Sequence, residues 1–176
     1  MSKIEIHCTR PFAQQFRNAL AQGPRSITIV SPFLTPVKPW SSVLEFARHA
    51  ISRGTDRIEI VTCPPADDAA VGQQNVIRRA EASQLEAEGV SLKIRETSLH
   101  SKLFHFEFDA PKRYTAFIGS SNFTQGGFER NDETMVRIDN PDHEAAVEKE
   151  LKRLTGFGSF PFYVWQASKL TSKGKA

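Results

Sequence analysis

The chain has 176 residues, 39% of them hydrophobic and 24% charged, which is enough for one globular domain of about 100–200 residues with a core of its own. No apolar run approaches the roughly 20 residues needed to cross a bilayer, and mean hydropathy is -0.39, so a protein built on membrane-spanning helices is excluded. The 23 Lys and Arg against 20 Asp and Glu leave a net charge of +3, too small to identify a nucleic-acid binder by charge alone.

Cys8 and Cys63 are too few for a secreted disulfide framework, and no charged-then-apolar leader opens the sequence. Both thiols are therefore expected to be reduced and the protein cytoplasmic.

In chain order, alternation of apolar and β-branched residues predicts a strand at Lys3–His7, and apolar residues at helical spacing predict a helix over Pro11–Ala21, stopped by Gly23-Pro24. A strand at Ser26–Val30 leads into the Pro-rich loop Ser31–Pro39. A helix over Trp40–Ile51 ends at Gly54, and a strand at Arg57–Thr62 leads into the loop Cys63–Asp68. A helix over Val71–Glu88, stopped by Gly89, precedes strands at Ser91–Arg95, Lys102–Phe108 and Thr115–Gly119. After the loop Gly119–Asn131 come a strand at Thr134–Ile138 and a helix over His143–Leu154.

This order gives an α/β fold with one mixed β-sheet flanked by helices on both faces. One catalytic domain is expected over residues 1–167, with 168–176 a basic, disordered tail. Ligands of open α/β sheets sit beyond the carboxyl ends of strands, so the loops leaving those ends are where a site is sought.

His100-Ser101-Lys102 opens a strand, and a spacing of two puts imidazole and ammonium on one face. Two groups that both become cationic are comfortable neighbours only with an anion between them, and phosphate fits; taken alone, the pair reads more plainly as a solvated strand end. Gly119-Ser120-Ser121-Asn122 offers backbone N–H groups, hydroxyls and an amide to an anion, although such a turn also serves its own backbone. Glu133, two residues after Asn131, is an acid able either to orient an imidazole or to sit as surface charge.

Together, His100-x-Lys102, Gly119-Ser-x-Asn122 and Asn131-x-Glu133 resemble the signature of the phospholipase D superfamily, whose members are phosphodiesterases and phosphatidyltransferases. The resemblance covers Leu99 to Val136 and implies a phospholipase D-like fold. It implies His100 as the nucleophile that forms a phosphohistidine, Lys102 and Asn122 as phosphate-oxygen binders with Ser120 assisting, and Glu133 as the acid that orients His100. No metal and no cofactor are implied, since covalent catalysis by imidazole with cations and amide dipoles on the phosphate oxygens divides the barrier into two steps. The family pattern has Asp five residues after the Lys, where this sequence has Glu107; the odd offset turns Glu107 to the opposite strand face.

The superfamily's site normally uses two copies of the motif, one His attacking phosphorus and the other protonating the leaving oxygen. One copy is present here, because His7, His49, His105 and His143 have no Lys two positions later. A two-fold homodimer supplies the missing half. Small single-motif nucleases of the superfamily resemble this arrangement, whereas its lipid-hydrolysing members carry both motifs in one long chain. The expectation is a metal-independent nuclease that cleaves DNA or RNA in a site shared by a homodimer, with a DNA-recognition or defence-system partner protein supplying any sequence specificity. The alternatives are a phospholipase or phosphatidyltransferase, and a non-catalytic nucleic-acid-binding subunit of a defence or repair complex.

His105 and Glu107 share a strand face without further ligands, which makes a metal pair the poorer reading. Arg78-Arg79, Lys112-Arg113 and Lys152-Arg153 are candidates to track a nucleic-acid backbone, or solvated faces. Phe157, Phe160, Phe162, Tyr163 and Trp165 are candidates to stack on bases, to pack on the sheet or to fill a dimer interface. Ser31-Pro32-Phe33 leaves a strand at the site's edge and is placed to shape a substrate groove.

Overall fold

The strand β2 (Ser26–Val30) is buried at every position, which demands cover on both faces of its sheet. The computed structural model describes residues 4–66, 76–97, 99–109, 113–156 and 158–173, without the side chains of 4, 8–10 and 170–173. Its other strands are β1 (Ile4–Cys8), β3 (Arg57–Thr62), β4 (Ser91–Arg95), β5 (Lys102–Phe108), β6 (Arg113–Gly119), β7 (Thr134–Ile138) and β8 (Ser159–Pro161). They form one eight-stranded sheet in the order β1-β7-β6-β5-β2-β3-β4-β8. Strands β2, β3 and β4 run parallel. β5 returns antiparallel to β2, and β6, β7 and β1 continue antiparallel from it, while β8 is antiparallel on β4.

The helices α1 (Thr9–Ala21), α2 (Val43–Ser52) and α3 (Arg79–Ala87) cover one face, packing with Ile27, Ile60, Phe104, Phe106 and Phe117 in one core. Phenylalanine holds it together: the Phe16 ring lies 5.0 Å from both Phe106 and Phe128 and 5.6 Å from Phe104. Edge-to-face contacts of this kind add to the burial of the rings. The helix α4 (Glu144–Gly156) covers the other face, where Leu154 joins Val30, Val61 and Leu103, and Val147 joins Tyr114 and Ala116. The expected α/β fold, a mixed sheet with helices on both faces, is the one observed.

Element ends differ where caps decide them. α2 begins at Val43 rather than Trp40 because the Ser42 hydroxyl accepts from the Glu45 N–H at 2.9 Å; Trp40 packs on Phe46 instead, 5.1 Å away. α3 begins at Arg79, and the part of the predicted helix over 71–75 lies outside the described residues. β8 and the helix α5 (Phe162–Lys173) carry no sequence prediction, since three residues are too few for alternation and β8 exists by pairing with β4. α5 passes through the domain boundary expected at residue 167, because Trp165 Nε1 donates to Glu96 at 2.7 Å and Lys169 pairs with the same carboxylate at 2.5 Å. Helix therefore continues to Lys173 inside the segment expected to be a disordered tail, and residues 174–176 lie outside the described residues.

Phe16→Ala is expected to lower the free energy of unfolding in urea by about 3–5 kcal/mol. Phe160→Ala, at a half-exposed ring on the edge strand, is expected to change it by about 0.5 kcal/mol or less.

Candidate active site

Because β5 runs antiparallel to β2, its first residues arrive at the end where β2 and β3 finish: Leu103 pairs with Val30, and Val30 with Val61. Pairing of β6 with β5 sets Gly119 opposite Lys102, and pairing of β7 sets Met135 opposite Gly119. Three separate stretches carrying His100 and Lys102, Ser120 and Asn122, and Glu133 thus meet at one sheet end, beside Ser31 after β2 and Cys63 after β3.

Lys102 lies on the phenylalanine face of β5 and is only 5% exposed. A buried ammonium is costly unless its donors are met. Nζ donates to the His100 carbonyl oxygen at 2.6 Å and lies 3.2 Å from His100 Nδ1, while the ring of His100 stands at the exposed rim. Burial holds the Lys102 amine below the ordinary lysine range, and the negative charges of Glu133 and then Cys63 oppose that shift. Burial likewise pushes the Cys63 thiol up, against a hydrogen bond from the Leu99 backbone and the charge of Lys102.

The turn after β6 is built by close approach. A Cβ on Gly119 would stand 2.1 Å from the Thr134 carbonyl oxygen, and one on Gly127 would stand 2.4 Å from the Asn122 carbonyl oxygen, so both positions need glycine. Ser120 Oγ accepts from the Thr134 N–H at 3.0 Å and donates to the Glu133 carboxylate, which also accepts from Asn131 Nδ2 at 3.2 Å. A hydroxyl has one donor; that of Ser120 is committed to the acid, so in this arrangement Ser120 steadies Glu133 instead of offering a proton to an anion.

Asn122 is fixed from both sides. Ser121 Oγ donates to the Gly127 carbonyl oxygen at 2.8 Å, and the Phe123 N–H donates to Ser31 Oγ at 2.9 Å. Its own side-chain oxygen is buried with no hydrogen-bond partner among the described residues. An orphaned buried polar atom costs about 1–3 kcal/mol.

Other candidates lie elsewhere. Glu107 faces away from Lys102, 3.9 Å from Arg57 Nη2, and His105 stacks on Tyr114 with ring centres 5.7 Å apart; both border a cavity of about 310 Å³ on the α4 face. Arg113 pairs with Phe108 at the far end of β5 and lies over its ring, remote from the site, while Lys112 is outside the described residues. Arg79 lies over Trp165, and Arg153 pairs with Glu150 at 2.6 Å. In the aromatic group, Phe162 and Trp165 are buried and Phe160 and Tyr163 exposed, with Phe157 outside the described residues. Sequence reasoning did not find the Ser31–Phe123 bond or the Cys63–Lys102 proximity, because both join stretches that no local pattern relates. Among the described residues no three His, Cys, Asp or Glu side chains gather as metal ligands, and no helix is long and apolar enough to cross a membrane.

The family model described as cardiolipin synthase, PLD-like domain matches residues 16–155. No curated protein matches the chain. Among solved structures it is similar to Nuc from Salmonella typhimurium, a phospholipase D family member, with TM-score 0.60 and 18% identity over 92% of this chain and 98% of that one. NucT from Helicobacter pylori is similar with TM-score 0.55 and 15% identity over 92% of this chain and 99% of that one. Phosphatidylserine synthase from Haemophilus influenzae is similar with TM-score 0.52 and 14% identity over 98% of this chain but 45% of that one.

Gly119→Ala is expected to destabilise the protein by about 1–3 kcal/mol in urea unfolding, since β6 and β7 must part to admit a methyl group. Gly54→Ala serves as the comparison: with nothing within 4 Å of its added Cβ, its cost comes from the backbone alone.

Proposed function

The chain belongs to the cardiolipin synthase, PLD-like domain family, and from that membership we propose that it is a metal-independent phosphodiesterase acting on nucleic acid, with an active site shared by two copies of the chain. The observation that carries this reading is the buried Lys102 ammonium, held by His100 at the sheet end where the turn carrying Asn122 also lies. A phosphodiester there takes a hydrogen bond from the third donor of Lys102 and one from the carboxamide of Asn122.

The resting contact also bears on the imidazole. While His100 Nδ1 accepts from Lys102, the neutral ring carries its proton on Nε2. Drawing the ammonium onto a phosphate oxygen releases Nδ1, water takes the proton from Nε2 and returns one to Nδ1, and Nε2 is left free to attack. The N–P bond forms as the bond from phosphorus to the leaving oxygen breaks, and that oxygen takes a proton from the His100 ring of the second copy. Water then attacks the phosphohistidine, passing its proton to the second ring as the N–P bond breaks. Glu133, steadied by Ser120 and Asn131, supplies the negative charge that favours the charged amine.

Nucleic acid is favoured over lipid because the chain has one motif and spans 98% and 99% of Nuc and NucT but 45% of the phosphatidylserine synthase. A phosphatidyltransferase is the second reading, favoured by the family model's description.

Assays in EDTA against plasmid, single-stranded DNA, RNA, phosphatidylglycerol and a chromogenic phosphodiester separate the two. Cleavage of nucleic acid that survives the chelator is expected; turnover of lipid alone would overturn the nuclease reading. His100→Ala is expected to abolish turnover, and Lys102→Ala or Asn122→Ala to lower kcat about 100- to 1,000-fold. Mixed dimers of wild-type and His100→Ala chains are expected to be inactive; half activity per site would show that each copy works alone.

The proposed mechanism needs one imidazole free to attack and one able to donate, so the pH profile of kcat/KM is expected to be a bell. On its alkaline side, activity that depends on the Lys102 ammonium is lost at a lower pH than an ordinary lysine would allow, since burial lowers that amine. Glu133→Gln removes the charge that raises the Lys102 amine, so the alkaline limb is expected to move to lower pH. A profile unchanged by this substitution would exclude the role given to Glu133.

A further inference from the structure

Next to Asn122 a groove of about 610 Å³ opens between the segment after β2 and the π-helical turn Gly126–Arg130, with Phe33, Thr35, Gln125 and Arg130 among its walls. Its size is that of a small-ligand site, about 300–1,000 Å³. The walls are fixed before any ligand arrives. Leu34 pairs with Phe123, the Thr35 N–H donates to the Phe123 carbonyl oxygen at 3.0 Å, and the Gln125 N–H donates to Thr35 Oγ1 at 3.4 Å. The backbone of Phe33 is held by Ser31 Oγ, which donates to its carbonyl oxygen at 2.7 Å.

Two features of the groove serve no purpose in the fold. The Phe33 ring is 40% exposed while Leu34 beside it is 1% exposed, so the core is filled without it. Arg130 is exposed, and no carboxylate among the described residues pairs with it. A flat aromatic face, neutral amides and hydroxyls, and a free guanidinium stand one step from the amide assigned to the scissile phosphate. An acyl chain would find one apolar ring among polar walls; a nucleotide would find a stacking surface for its base, donors and acceptors for its edge, and a cation for its phosphate.

We infer that this groove binds the nucleotide adjoining the scissile phosphate, Phe33 stacking on its base and Arg130 holding the flanking phosphate, and that the site therefore takes an unpaired strand. A base inside a duplex has both faces occupied by its neighbours and cannot offer one to Phe33. The inference rests on the phosphodiesterase reading of the adjoining site and adds to it the form of the substrate.

The test is fluorescence anisotropy with His100→Ala protein, which binds without cleaving, and two labelled probes: a single-stranded oligodeoxyadenylate and a blunt hairpin duplex. Adding Phe33→Ala is expected to lower the ratio of single-strand to duplex affinity about 5- to 150-fold, the range of one lost base stack. Phe33→Tyr is expected to keep the ratio, and Phe33→Leu, apolar but not flat, to lose it as Ala does. Arg130→Gln is expected to reduce the slope of log affinity against log salt by about 0.7, one phosphate contact on a single strand. An unchanged ratio in Phe33→Ala would overturn the inference, as would loss of binding to phosphatidylglycerol vesicles in place of oligonucleotide. Chromogenic diester hydrolysis by the unsubstituted protein separates the failures: hydrolysis with an unchanged ratio removes the subsite alone, and neither hydrolysis nor oligonucleotide binding removes the underlying reading as well.

Discussion

A lysine amine on the apolar face of a sheet must have its donors satisfied or give up its charge, and the site is arranged around that demand at Lys102. The amine turns back past the start of its strand to the carbonyl oxygen and ring of His100, which ties the imidazole to the cation. Across the ladder, Gly119 admits the β7 backbone at a distance no side chain permits. That approach lets Ser120 reach both the Thr134 N–H and the Glu133 carboxylate. The charge of Glu133 then acts on Lys102 against the effect of burial, so the cation, the glycine and the acid each make the others' placement tolerable.

The chemistry is anchored in the hydrophobic core. Phe123 follows Asn122 directly, and its ring lies 5.1 Å from Phe46, 5.5 Å from Phe128 and 6.0 Å from Phe16. Its backbone N–H also donates to Ser31 Oγ, which joins the two loops at this sheet end. The turn holding Asn122 is thus pinned by the packing that stabilises α1 and α2 against the sheet, which is the rigidity that the role proposed for its amide calls for.

What could be read in the sequence was what repeats locally. Ser26–Val30, Arg57–Thr62, Ser91–Arg95, Lys102–Phe108 and Thr134–Ile138 form strands with the predicted bounds, because each is a run whose alternation or burial has period two. The placement of the motif was legible for the same reason, since Lys102 opens β5 two residues after His100 and the odd offset of Glu107 turns it to the other face. What was not legible depends on partners: the start of α2 on a cap, β8 on an edge left open by β4, and the continuation of α5 on Glu96, far back in the chain. In the site, the commitment of the Ser120 hydroxyl to Glu133 and the bond between Ser31 and Phe123, 92 residues apart, are likewise set by the fold and by no local pattern.

For the proposed dimer, charge balance gives a physical reason for completing the site with a second copy. Within one chain the Lys102 cation is matched by the Glu133 anion, and burial favours the neutral thiol at Cys63, so these three groups carry no surplus charge around the imidazole. Two such half-sites facing each other stay neutral until a phosphodiester brings one negative charge, and one proton shared between the two imidazoles restores the balance. In a confined site the neutral arrangement has the lowest electrostatic cost, and it is also the arrangement the reaction requires: one ring free to attack and one able to donate. A second proton would leave a surplus cation and no nucleophile, while the absence of any would leave the leaving oxygen without a donor. On this argument the anion itself selects the singly protonated pair, and two identical chains acquire different roles from the substrate they share.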